Sequence, residues 1–132
     1  MKICLVSDSK TRINFFPELS DLLAEKIADI ETESFFVPFP EDIPAKAKES
    51  IDEGAETVFV FSSIKDSSKA HMLLSKLIDV EIQTGKKIVK AIEKKGFDMK
   101  PEAKQGAAQK LAEKWAEFLI DYFYKPELFE PK

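Results

Sequence analysis

Thr57-Val58-Phe59-Val60-Phe61 is followed at once by the polar run Ser62–Lys69 and then by Ala70-His71. Five apolar or β-branched residues without alternation read as a strand buried on both faces, which places it centrally in a parallel sheet. The abrupt change to serine, lysine and aspartate marks the carboxyl end of that strand and the start of a loop. The pattern then changes period: a helix is predicted from about Ala70 to Thr84, stopped by Gly85.

The same strand–loop–helix unit recurs on either side. Lys2–Val6 is a short apolar run ending in Ser7-Asp8-Ser9, and Leu19, Leu22, Leu23, Ile27 and Ile30 follow at helical spacing, with Pro17 and Glu18 suited to a first turn. Ser34–Val37 is a second strand, closed by Pro38-Phe39-Pro40. Asp42 has the type and place of an N-cap, with Ile43 and Pro44 opening a helix that Gly54 ends. Lys87–Ile92 is a fourth, less apolar strand, expected near an edge. A long helix from about Glu102 to Tyr124 carries an apolar stripe that includes Trp115, Phe118, Tyr122 and Phe123. The order β-α-β-α-β-α-β-α predicts an α/β fold: a single three-layer domain over residues 1–132, a four-stranded parallel sheet with helices on both faces.

Composition narrows the chemistry. With 20 basic and 24 acidic residues the net charge is −4, which argues against a nucleic-acid partner. One cysteine (Cys4) and one histidine (His71) leave no disulfide within the chain, no paired-thiolate zinc site and no His-x-x-x-His metal pair. Four glycines cannot build a G-x-G-x-x-G or Walker A loop. The longest apolar stretches fall short of the ~20 residues of a membrane span, and the amino terminus does not read as a signal peptide, so a cytoplasmic location is expected.

Open parallel sheets bind ligands beyond the carboxyl ends of their strands. Four segments are predicted to line that crevice: Ser7–Arg12, Pro38–Asp42, Ser62–His71 and Glu93–Lys100. In the first, Asp8, Ser9 and Arg12 suit a polar or anionic ligand. In the second, two prolines stiffen the chain around Phe39, a ring able to stack on a flat ligand, and Asp42 follows. In the third, Ser62, Ser63 and Lys65 are polar groups a ligand would meet, and His71, expected in the first turn of its helix, is the candidate general base. A receiver-domain reading fails because Phe61 and Ser62 stand where its acceptor aspartate belongs.

Val37-Pro38-x-x-x-Asp42-Ile43-Pro44-Ala45-x-Ala47 resembles the Val-Pro-Gly-x-x-Glu-Ile/Leu-Pro segment of lumazine synthases, and more closely the Val-Pro-Gly-x-Lys-Asp-Leu-Pro segment of archaeal-type riboflavin synthases. Asp8-Ser9-x-x-Arg12 is similar to the Asp-Thr-Thr-x-x-Arg loop of the latter family. Ala70-His71 resembles the helix start of both. Phe123-x-Lys125-Pro126-Glu127-x-Phe129 resembles the riboflavin synthase tail, and Lys104-Gln105-Gly106-x-Ala108 a helix start of the lumazine synthases. Phe39 and Ser62 replace glycines of the families, and Met72 follows His71 where the archaeal synthases have glutamate.

The resemblance implies a lumazine-synthase-like, flavodoxin-like topology and a homo-oligomer, a pentamer, with sites shared between subunits. The implied activity is that of a transferase, riboflavin synthase: dismutation of two 6,7-dimethyl-8-ribityllumazine molecules to riboflavin and a ribitylaminopyrimidine. It implies that Asp8, Ser9 and Arg12 contact ring or ribityl groups, that Asp42 takes ribityl hydroxyls, that Ser62 and Ser63 line the ring pocket, and that His71 assists proton transfer. No tightly bound cofactor is implied; a divalent metal such as Mg2+ is left open. Lumazine synthase and a non-catalytic flavin- or lumazine-binding paralogue are the alternatives.

Overall fold

Seven-residue strands alternate with helices in the computed structural model, which describes residues 1–131: β1 (Lys2–Asp8), α1 (Phe16–Lys26), β2 (Glu31–Val37), α2 (Ile43–Asp52), β3 (Thr57–Ser63), α3 (Ser67–Thr84), β4 (Lys87–Glu93) and α4 (Pro101–Tyr124). The chain divides into two compact units. The first comprises Met1–Ile13 and Glu31–Asp98 and contains the sheet, α2 and α3. The second comprises Asn14–Ile30 and the chain from Met99 onward, with α1 and α4.

The sheet has four parallel strands in the order β2-β1-β3-β4. β3 is therefore central, as its unbroken apolar run predicts, with Val60 beside Val6 and Lys90. β2 is an edge strand and begins at Glu31, three residues ahead of the apolar block that signals it. Its polar start, Glu31, Thr32 and Glu33, pairs with Lys2, Ile3 and Cys4. An edge strand tolerates this polarity, because each of its residues is half-buried or exposed.

One face of the sheet packs against α2 and α3. Cys4, Val6, Val58, Val60 and Ile88 meet Ile43, Ala47, Leu73 and Leu77 in a single apolar cluster. Each fully buried leucine or isoleucine there contributes about 1.5–3 kcal/mol. On the opposite face of β1 and β3, Ile3, Leu5, Phe59 and Phe61 are fully buried, and Phe97 lies against Phe61 with ring centroids 5.9 Å apart.

α3 begins at Ser67, earlier than the apolar periodicity suggests, because the Asp66 carboxylate accepts hydrogen bonds from the Ser68 and Lys69 amides at 2.8 and 3.1 Å. This is an N-cap that satisfies two donors left open at a helix start. The helix ends at Gly85, whose φ of 71° closes the last turn in the left-handed region. In the second unit, Ala108, Ala112 and Ala116 repeat at one-turn spacing on α4 and are buried, and α4 packs against α1. Among the described residues no helix is long and apolar enough to cross a membrane.

Candidate functional site

The carboxyl ends of β1 and β3 are tied together by a buried polar cluster. Asp8, the last residue of β1, is only 1% exposed. Its carboxylate accepts from the Ser62 hydroxyl at 2.6 Å, the Thr11 hydroxyl at 2.9 Å and the Thr11 amide at 3.1 Å. Thr11 Oγ1 in turn accepts from the Ser63 amide at 3.0 Å. Thr11 and Ser62 are as buried as Asp8. A carboxylate buried this deeply requires such partners, and here the protein supplies them itself.

Above that cluster lies a cleft of about 370 Å³. The β1 loop contributes Lys10, and the stiff turn after β2 contributes Phe39, Pro40 and Glu41. The loop after β3 contributes Ser63, Ile64, Lys65, Asp66 and, one helical turn on, Lys69. The position is where strand order reverses, between β1 and β3, the usual ligand crevice of open parallel sheets. The volume lies in the range of about 300–1,000 Å³ typical of small-ligand sites. Phe39 is 49% exposed, and Lys10 Nζ stands 5.4 Å from its ring centroid.

Three residues singled out from the sequence meet at this cleft: Phe39, Ser63 and Lys65. The others take different places. Asp8 and Ser62 form the sealed scaffold beneath it. Ser9 is exposed in the short 3₁₀ turn Ser9–Thr11 that follows β1. Arg12, in the left-handed region with φ of 61°, reaches Asp98 at 3.5 Å. Asp42 is exposed and makes no side-chain hydrogen bond to the start of α2; its carboxylate turns back to accept from the Phe39 amide at 3.3 Å. That bond holds the turn carrying Phe39 and Pro40, so Asp42 positions the cleft wall.

His71 is exposed and does not line the cleft. With the helix starting at Ser67, it lies beyond the first turn of α3, away from the helix end where the backbone amides point outward. The fourth predicted segment acts as a buttress: the Lys95 carbonyl accepts from the Ser63 hydroxyl, and Gly96 lies under the Lys65 side chain.

Lys10 and Lys69, within the predicted segments Ser7–Arg12 and Ser62–His71 but not singled out as ligand contacts, also line the cleft, and Thr11 has a structural role. The spacing Asp8-x-x-Thr11 carried the signal for the last, since an aspartate caps an amide three residues on in many turns. Among the described residues no group of three His, Cys, Asp or Glu side chains is placed to hold a metal ion. Comparison with protein-family models and with curated proteins finds no match.

Proposed function

We propose that the chain is a riboflavin synthase of the archaeal type, in a lumazine-synthase-like fold, acting on 6,7-dimethyl-8-ribityllumazine. The observation that carries this reading is the convergence of Phe39, Ser63 and Lys65 on one cleft at the strand-order reversal. It adds to the sequence resemblance of the first two loops, the Ala70-His71 helix start and the carboxyl-terminal tail.

The chemistry asks little of the protein beyond placement. A ring methyl group of the substrate is acidic; its loss of a proton gives a carbanion that attacks a second ring. A four-carbon unit then passes between the two, leaving riboflavin and a ribitylaminopyrimidine. Holding two rings face to face supplies much of the barrier reduction. Phe39 offers a flat face for one ring. The ammonium groups of Lys10 and Lys65 sit where they oppose the negative charge that develops on a deprotonated ring. Ser63 offers a hydroxyl to ring or ribityl oxygens. A cleft of this size in one chain takes one ring with its polyol, so the second ring is held with the help of a neighbouring subunit in a homo-oligomer, the pentamer of the resemblance. His71 would then serve proton transfer in a neighbour's site.

A second reading, a non-catalytic protein that binds a flavin or its precursor, is favoured by one observation: the only histidine stands outside the cleft of its own chain. Incubation with 6,7-dimethyl-8-ribityllumazine alone separates the two. Riboflavin fluorescence rising with time supports the synthase. Tight binding without product supports the binding protein, and product formed only when a four-carbon phosphate and the ribitylaminopyrimidine are added identifies a lumazine synthase.

A further inference from the structure

A second cavity, of about 270 Å³, opens beside the cleft between α2 and α3. Its lining is mostly apolar, Pro40, Pro44, Ile64, Met72 and Leu73, with Glu41, Lys69 and Lys76 as its charged members. It shares Pro40, Glu41, Ile64 and Lys69 with the cleft described above, so the two are compartments with a common wall. Met72 is 57% exposed there, an apolar side chain without cover.

Charge around the two compartments is unbalanced. Among the described residues, no carboxylate comes within ion-pair distance of Lys10, Lys65, Lys69 or Lys76. Five other lysines of this unit are paired, Lys2 with Glu33, Lys46 with Glu49, Lys48 with Asp52, and Lys87 and Lys90 with Glu81, while Lys86, Lys94 and Lys95 are outside any ion pair among the described residues. Two carboxylates line the compartments, Asp66 and Glu41, and that of Asp66 is occupied in capping α3. In a chain with a net charge of −4, four lysines against two carboxylates around the two adjoining compartments make a local excess of positive charge.

We propose that the two compartments together form a site for a small amphipathic monoanion, an aliphatic carboxylate whose chain lies in the groove between α2 and α3 and whose head meets the lysines of the adjoining cleft. The apolar lining accounts for the chain, which would be buried against Leu73 and Ile64 while it covers the exposed Met72. The lysines account for the sign of the head group. The shared wall makes such a ligand a competitor for the cleft. The site goes beyond the synthase reading and does not depend on it.

The test is calorimetric titration of the full chain, without any lumazine, using decanoate below its micellar concentration. Decanoate is expected to bind at one site per chain. Acetate, which lacks the chain, and decylammonium, which reverses the head, are each expected to bind at least about tenfold more weakly. Met72→Glu places a carboxylate in the groove at an exposed position the fold tolerates, and should weaken decanoate by about tenfold or more. Lys65→Glu combined with Lys69→Glu should weaken it comparably and remove most of its salt dependence. Equal binding of decanoate and decylammonium would overturn the proposal, as would an unaltered affinity in Met72→Glu. Adsorption to phosphatidylglycerol vesicles with no binding of free decanoate would overturn it too, pointing to a membrane surface instead. Riboflavin formation is read in a separate assay, so failure here leaves the synthase reading standing.

Discussion

Replacing Ser62 by alanine tests whether the polar cluster under the cleft is scaffold. Ser62 is 0% exposed, and its hydroxyl donates to Asp8 at 2.6 Å, a distance typical of a hydrogen bond to a carboxylate. Removing the hydroxyl leaves Asp8 Oδ2 with Thr11 Oγ1 as its side-chain donor, and Oδ1 with the Thr11 amide. Water cannot readily replace the lost donor in a site this closed. Hydrogen bonds to charged groups contribute about 1.5–3 kcal/mol, so Ser62→Ala should cost about that amount. The small volume change adds little. Urea unfolding followed by circular dichroism reads this as a lower midpoint at unchanged slope. A double-mutant cycle with Thr11→Ala should show coupling of about 0.5 kcal/mol or more, because both hydroxyls serve one carboxylate oxygen. A cost of Ser62→Ala below about 0.5 kcal/mol, the scale of surface substitutions, would refute the scaffold assignment and return Asp8 and Ser62 to the pool of ligand-facing groups.

Three further outcomes follow from the same geometry. Asp66→Ala removes the cap of α3 and should destabilise the fold by about 0.5–2 kcal/mol by urea unfolding, with Asp66→Asn recovering most of the loss. For Glu81, burial works against the charged form, but the hydrogen bonds from Lys90 and from the Ile88 amide, with the charges of Lys90 and Lys87, outweigh it and lower its pKa. A carboxyl held low in the folded state adds stability that is present above the ordinary glutamate value and is lost as pH falls through the folded value. Glu81→Gln should therefore flatten the fall of melting temperature on acidification in that range. Phe39→Ala should weaken ribityllumazine binding by about 2- to 10-fold in a fluorescence titration, the magnitude of one lost ring–ring contact, while leaving the urea midpoint nearly unchanged because the ring is half exposed.

The sheet was largely legible in the chain because its signals are local. The unbroken run Thr57–Phe61 requires burial on both faces, and the structure makes β3 central. Glu31–Glu33 gave no such signal: their strand character comes from the ladder to Lys2–Cys4, a pairing across the chain that no window around them contains. The start of α3 was obscured for a different reason. Ser67, Ser68 and Lys69 look like loop residues until Asp66 is recognised as their cap, and that shift moves His71 past the first turn.

The candidate site divides along the same line. Phe39 and Lys65 were legible as members of the loops after strand ends, but Phe39 reads equally as a core or interface ring, and its exposure comes from the fold. Asp8 and Ser62 were singled out as ligand contacts because each is polar at a strand end. Only the fold shows that these residues, 54 positions apart, bond to each other and close over. Lys10 and Lys69 lie in two of the segments predicted to line the crevice, and the convergence of the β1 and β3 loops brings them to one cleft.

The central claim is that the cleft bounded by Lys10, Phe39, Ser63 and Lys65 receives the ribityllumazine ring. Backbone amide NMR of the labelled protein, titrated with 6,7-dimethyl-8-ribityllumazine, tests it most directly. The account predicts saturable shifts concentrated at those four residues and their neighbours in the loops after β1, β2 and β3. Shifts confined to other surfaces, or none at saturating ligand, would contradict it.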